Sequence, residues 1–446
     1  VPDLSRPAVV AAGSYTPSFS VRRGRHRVLV ANGDEDAVTL AIEAAQDCLT
    51  RYEGPVDELH LAFARPELVN GPQAEIVREA AGLDAGVTVS VSAGDSLAGL
   101  AALAAAMNAV QAGRVRSVLL VATESGDSER VSAGAVAVLV ADSDAPALRP
   151  GAQRSAGDVV YGNWTDGDGV RHLGDGRYLD RYVADHAKAA LAALIAMDGP
   201  PPAAVTGVAA AAVATACGSD RSAVLPDRGV AGPLLAVLAA GSAATGSAAT
   251  VVATTASRAV ALSIEVDAGT RPLLPTLPGP VPELPEPIDV RSSPPLSLPG
   301  SSPFFRRSAR ELLRLEGARC DGCGHVVFPP SQRTICPSCH GYGFTPAPLS
   351  RTGRVYTFIV NRFLPTGFGD QMILVLAELD DGSRYWAPTS GMGPDEVEIG
   401  AAVELRVRRF TDDGGAPVYA MKFVPPRTAR DGAGSTGATT ESRNVA

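Results

Sequence analysis

No uninterrupted apolar run of about 18 residues, the length a membrane span needs, occurs in the sequence, because glycines and polar residues break each hydrophobic stretch. The first residues, VPDLSRP, lack a basic segment followed by an apolar core, so no secretion signal is expected. Positive charge is also in deficit: 39 Lys and Arg stand against 48 Asp and Glu, a formal net charge of −9. Affinity for a phosphate backbone comes largely from many basic contacts, so gripping nucleic acid is not expected as the main task. There is no P-loop and no G-x-G-x-x-G after a strand, and DGDGVRHLGDG departs from the EF-hand spacing. Cysteine is scarce, and four of the six fall between positions 320 and 339. That usage suits thiolate metal ligands in a reducing compartment better than a disulfide framework, so a cytoplasmic location is expected.

Those four, Cys320, Cys323, Cys336 and Cys339, form C-x2-C-x12-C-x2-C. Each C-x2-C puts two sulfurs on one tight turn, and the twelve-residue gap lets the two turns face each other. Four soft ligands with no open position describe a structural tetrahedral zinc site, with iron as the alternative. His325 and His340 lie nearby and are expected to be bystanders.

Residues 270–303 contain 11 prolines. Proline fixes φ and removes a backbone donor, so this stretch reads as an extended, stiff connector. The last residues, 427–446, are small and polar and are expected to be disordered. The remainder divides into 1–269, 304–346 and 347–426. In the first part, 57–64, 116–123 and 133–142 read as strands, and 95–113 as a tightly buried alanine-rich helix. A second round follows: a helix over 177–199, a strand over 206–215, a helix over 230–246 and a hairpin around Ser257 and Arg258. Two such rounds imply a layered α/β unit built by duplication. Further on, 354–363, 372–389, 401–410 and 417–424 alternate like the strands of a small barrel. The arginine-rich FFRRSARELLRLEGAR (304–319) is helix-compatible and reads as a docking helix. Arg306, Arg307 and Arg310 are its candidate contacts to ligand phosphates.

Taken in order, AAGSYTPSFSVRRGR, GDEDAVTLAIEAAQDCL, GRVRSVLLVATES, SAGAVAVLVAD and GVAGPLLAVLAAGSAATGSAATVVATTASRAVALSIEV resemble the thiolase superfamily. The likeness covers roughly 7–268 and is nearest the 3-hydroxy-3-methylglutaryl-CoA synthase and ketoacyl synthase III-like branch. Residues 303–425 are similar to the DUF35 family. The fold implied is an α/β thiolase-like layered fold with duplicated halves, then a rubredoxin-like zinc ribbon and an OB-fold barrel. The likeness also implies that the ribbon domain associates with thiolase-like proteins.

Such chemistry needs a nucleophilic cysteine at the start of a buried helix, with a histidine and an asparagine or second histidine handling protons and the thioester oxyanion. The family's A-C-x-G-G-like stretch corresponds to VSVSAGDSLAGLAAL, where Ala93 matches the alanine and Gly94 stands at the nucleophile position. Where the histidine is expected the chain reads ATACGSD, and where the asparagine is expected, PDRGVAG. Cys48 reads as core. Cys217 is a weak catalytic candidate, as are Tyr161 and His172 in the polar stretch 157–182, which reads as a loop. Asp95 and Ser96 read as helix caps.

The favoured expectation is a non-catalytic or auxiliary subunit of an acyl-CoA-processing complex. It would form homo- or heterodimers through the thiolase-like part and pair with a separate thiolase-like enzyme. One alternative is a stand-alone acyltransferase, decarboxylase or retro-aldolase using other residues. Another is a scaffold unrelated to CoA.

Overall fold

The computed structural model describes all residues except 1–5, 25, 69–70, 127–130, 159–162, 167–168, 173–175, 195–199, 245, 271–272, 274–280, 282, 285–295, 298–308, 331–333, 365–370, 414–415 and 427–446. For 163–166, 169–172, 176–180, 284, 296–297, 310 and 413 only the backbone is described. The chain forms two compact units, 1–277 with 281–292, and 278–280 with 293–446.

The first unit runs β1 (Pro7–Tyr15), β2 (Phe19–Arg23), β3 (His26–Val30), α1 (Ala37–Leu49), β4 (Glu58–Phe63), α2 (Gln73–Ala80), β5 (Thr88–Ala93), α3 (Ala98–Gln111), β6 (Ser117–Glu124) and β7 (Gly134–Asp142). It continues β8 (Leu148–Gly157), β9 (Asn163–Asp166), β10 (Gly169–His172), α4 (Gly176–Leu194), β11 (Ala204–Gly207), α5 (Ala210–Ala216), α6 (Gly232–Ala243), β12 (Ala248–Thr254) and β13 (Arg258–Val266). The main sheet has the order β11-β12-β13-β8-β1-β7-β6-β4-β5. It is two repeats joined at Val9 and Leu148.

In the first repeat the strands stand in the order third, second, fourth, fifth, first (β5-β4-β6-β7-β1), and the fifth is antiparallel to its neighbours. The second repeat gives second, fourth, fifth, first (β11-β12-β13-β8), again with the fifth antiparallel. Its third strand is reduced to one bridge, Val205 with Val224, in the connection between α5 and α6. The duplication expected from the sequence is thus present as topology.

One core cluster joins α3 and α6 to inward residues of both repeats, among them Leu120, Val138, Val251 and Leu262. A second cluster packs α4 and α5 on the outer face of the second repeat. Strands β6 and β7 are covered on both faces, which is why they read as unbroken apolar runs. Helix α6 is apolar all round for the same reason. The helix layer is thin because its contact residues are small: a Cβ on Gly99 would lie 2.5 Å from the Val230 carbonyl oxygen.

Four expectations need correction. The run 206–215 is not one strand. β11 ends at Gly207, Ala209 is left-handed at φ +57°, and α5 begins at Ala210. Alanine's helix preference prevails once the strand has reached its turn. Helix α3 is not buried all round, since Ala101, Ala105, Asn108 and Gln111 are exposed. The stretch 157–182 is not a plain loop, because β9 and β10 pair in it, with His172 opposite Asn163. Finally, within 304–319 the described helix is one short turn, Arg310–Arg314. Leu315 then turns left-handed, and Glu316 opens a strand.

Also in the first unit, β14 (Glu283–Leu284) adds to β2, with Glu283 paired to Arg22 and Arg27. In the second unit β15 (Leu296–Ser297) pairs with the later strand β22. The ribbon is β16 (Glu316–Cys320), β17 (Val326–Val327) and β18 (Phe344–Pro348). The barrel is β19 (Thr352–Asn361), β20 (Met372–Leu379), β21 (Arg384–Pro388), β22 (Ala402–Asp413) and β23 (Ala416–Val424). Its strands run β23-β22-β19-β20-β21, and a bridge from Thr389 to Phe423 closes the ring in OB-fold order. Gly99→Val is expected to destabilise the first unit by about 1–3 kcal/mol through overpacking. A lowered urea midpoint would show this.

Candidate functional site

Helices α3 and α6 lie side by side, and their N-terminal loops carry the positions at which the resemblance places catalytic groups. The Gly94 N–H donates to the Phe63 carbonyl at 3.1 Å, and a Cβ there would meet just the Ala98 Cβ, at 3.4 Å. The place has room for a side chain and holds none. Asp95 accepts from the Leu97 N–H at 3.0 Å and pairs with the Arg258 guanidinium at 3.1 Å. Both partners are half exposed, so the pair is weak. Ser96 Oγ donates over 3.4 Å to the Thr254 carbonyl on the second repeat. It does not cap α3, whose N-cap, Leu97, has no side-chain bond.

The α6 end is more deeply buried. Glu124, at the end of β6, accepts from the backbone N–H groups of Gly126 and Val230. The latter lies in the turn that opens α6. Gly229 has φ +49°, and a Cβ on it would sit 2.0 Å from Glu124 Oε2, so glycine is required here. Asp227 accepts from the Gly229 N–H at 2.9 Å. Burial raises the pKa of both carboxyls above their ordinary values. Arg228 is 6 % exposed and donates to Thr16 Oγ1 at 3.0 Å, while its Nε finds no acceptor. Burial lowers its pKa to about 10, so the guanidinium stays charged at neutral pH.

A helix N-terminus offers N–H donors and a positive dipole end to a thiolate or a developing oxyanion. Here Asp95 and Glu124 already occupy donors at both ends. The loop after β11 is Val208–Ala209, and none of the chain's six histidines falls in these loops. Cys48 lies in α1 and is fully buried, with its thiol pushed up to about 12, chiefly by desolvation. Cys217 closes α5 and packs with the outer cluster, and burial raises its pKa too. Neither thiol is at the head of α3. Tyr161, Arg306 and Arg307 lie outside the described residues. The backbone places His172 on β10 and Arg310 on the helical turn.

The four ribbon cysteines do converge: their Sγ atoms all lie within 4.8 Å of one another. Two of these separations are 3.5 Å (Cys320 to Cys339) and 3.6 Å (Cys323 to Cys336). A tetrahedron with Zn–S bonds of about 2.3 Å has edges of about 3.8 Å, so the donor set fits zinc. The two knuckles are built alike. The N–H groups of Gly324 and His340 donate to the carbonyls of Cys320 and Cys336, and both residues are left-handed. His325 and His340 are not in the cluster. The ribbon meets the barrel through Phe328, whose ring centroid is 4.9 Å from that of Tyr385.

These features define a thiolase-type fold followed by a zinc ribbon and an OB-fold. Among solved structures, the first part is similar to the priming β-ketosynthase of the R1128 polyketide pathway (TM-score 0.51, 17% identity, 60% of this chain and 98% of that one). It is also similar to Xanthomonas campestris OleA (TM-score 0.51, 16% identity, 59% of this chain and 100% of that one). At these identities the likeness is one of fold. Residues 307–344 match the family described as ChsH2, rubredoxin-like zinc ribbon domain.

A DUF35 domain-containing scaffold protein of Methanocaldococcus jannaschii is 39% identical over 124 residues, 27% of this chain and 86% of the relative. Benzoylsuccinyl-CoA thiolase subunit BbsA of Thauera aromatica is 34% identical over 110 residues, 24% of this chain and 74% of the relative. Through its C-terminal part the chain belongs to the DUF35 domain family. No helix among the described residues is long and apolar enough to cross a membrane.

Cys320→Ser, or chelation, is expected to unfold the ribbon and strip a bound metal of about one zinc per chain. Elemental analysis together with Trp386 fluorescence would detect both changes. The raised carboxyls set a pH dependence. The folded chain retains protons on Glu124 and Asp227 to higher pH than the unfolded chain does. Their favourable contribution is therefore complete below the ordinary carboxylate range and is lost as pH rises through the raised values. The unfolding free energy of the Glu124→Gln/Asp227→Asn variant, relative to the parent, is expected to improve from pH 4 to pH 8 in parallel denaturation series.

Proposed function

We propose that this chain is a non-catalytic subunit of an acyl-CoA-processing complex. It would pair with a separate thiolase-like enzyme that makes or breaks a C–C bond beside a CoA thioester. The observation that carries this reading is the state of the central helix ends, which have carboxylates on their donors and no thiol at α3. A unit furnished in this way has no cysteine with which to hold an acyl group, so the nucleophile would come from the partner. The relatives, a scaffold protein and a thiolase subunit, support the same reading. The aligned 124 residues make up 86% of that scaffold protein, and in this chain they fall in the C-terminal part.

For pairing through the thiolase-like unit we assign the β5 edge. Among the described residues β5 pairs with β4 on one side and with no strand on the other, and Val91 in it is 45% exposed. An open edge of this kind is a template for another chain. The exposed Ala101, Ala105 and Asn108 of α3 belong to the same unit. So does a cleft of about 440 Å³ floored by Leu100, Leu103, Met107 and Leu262. We divide the chain at 269, 303, 346 and 426, with zinc as the clamp that orders the ribbon. Arg306, Arg307 and Arg310 are assigned to the phosphates of acyl-CoA.

The test is native mass spectrometry of the tagged full chain recovered from its own host. The expected result is a stoichiometric complex with a thiolase-fold subunit, in which acyl-CoA turnover requires both chains. A homodimer that turns over acyl-CoA unaided would overturn the proposal.

A further inference from the structure

The chain is acidic overall, yet the β2–β3 hairpin is strongly basic: SVRRGRHR (20–27) carries Arg22, Arg23, Arg25 and Arg27 together with His26. Strand register puts Arg22 directly opposite Arg27. Like charges facing each other across a strand pair are unfavourable. The hairpin's own apolar cluster is small, made of Phe19, Val21, Val28 and Val30.

The acid that meets the two arginines comes from the proline-rich connector. Glu283 accepts from Arg22 Nε at 3.0 Å and Nη2 at 3.1 Å, and lies 3.8 Å from Arg27 Nε. Arg27 also donates to the Val281 carbonyl and, at 2.8 Å, to Ser20 Oγ. β14 thereby continues β2 as a parallel strand, with Glu283 beside Ser20 and Leu284 beside Val21. The connector matches the hairpin in charge, since Glu286 and Asp289 follow Glu283 with no basic residue between them. Arg22 is 61% exposed and Arg27 44%, so each ion pair is weak by itself. Exposed ion pairs around a two-residue strand hold a segment reversibly.

We infer that β14 is a charge-held strap on the β2–β3 hairpin, and that it sets how much chain connects the two units. With the strap on, the connection between Leu284 and Leu296 is residues 285–295. Leu273 packs against the main core cluster, so with the strap off the connection is 274–295, twice as long. A longer connector lowers the effective concentration at which joined units meet. The strap operates independently of the function proposed above.

Endoproteinase Glu-C, which cuts after glutamate, tests this on the full chain, with cleavage after Glu441 near the C-terminal end as the reference. Relative to that reference, cleavage after Glu283 is expected to be about fivefold faster in Arg22→Ala/Arg27→Ala than in the parent. In the parent it is expected to quicken between about 0.05 M and about 0.5 M salt, as screening weakens the ion pairs. Amide hydrogen exchange supplies a second readout: exchange in 19–30 is expected to rise in Glu283→Ala, while that of β7 is unchanged. Equal relative cleavage in parent and variant, or unchanged exchange in Glu283→Ala, would overturn the strap. So would faster exchange that extends to β7, which would give Glu283 a role in the fold as a whole.

Discussion

Two sheet repeats share a single layer of two helices, and that sharing constrains the first unit more than any other feature. Gly99 brings α3 against the Val230 carbonyl at the head of α6, and no larger residue fits the gap. The alanine-rich faces of α3, the all-round apolarity of α6 and the unbroken apolar strands on either side follow from this thin, dry layer. The same approach brings the two helix N-termini together, which in a thiolase-type fold is the reason a reactive centre can exist there at all.

In this chain carboxylates meet both of those helix ends. Glu124 crosses from the first repeat to the N–H donor at the start of α6, and Asp95 turns back on Leu97 and reaches Arg258. The contacts to Val230 and to Arg258 tie one repeat to the other. A catalytic centre requires unpaired donors held ready for a transition state, and a fold that satisfies them internally gains rigidity instead. The buried Arg228, bound to Thr16 beside Gly134, continues the same locking towards β1 and β7.

Most of the architecture was legible in the sequence because each part carries a local signature. The four cysteines specify their own geometry through spacing, and strands such as β6 and β7 declare burial on two faces by their unbroken valines, leucines and alanines. What escaped depended on tertiary context. In 206–215 alanine and valine permit either state, and a left-handed Ala209 decides where one gives way to the other. The exposure of α3 could not be read from its composition, since small residues suit a helix buried within a chain as well as one kept free on its surface. The roles of Glu124 and Arg228 were also hidden. They lie more than 100 residues apart, and what linked them was a single clue, the glycine at 229 that leaves space for a carboxylate.

The reduction of the second repeat's third strand to one bridge at Val224 makes the two ends of the sheet unlike. A duplicated sheet with two intact outer strands could accept a neighbour at either end and grow without limit. Here one end presents the six-residue β5, while the other is the four-residue β11, already bridged by its own chain. The sheet is therefore one-ended. The asymmetry between the repeats thus leaves, among the described residues, only the β5 end unbridged.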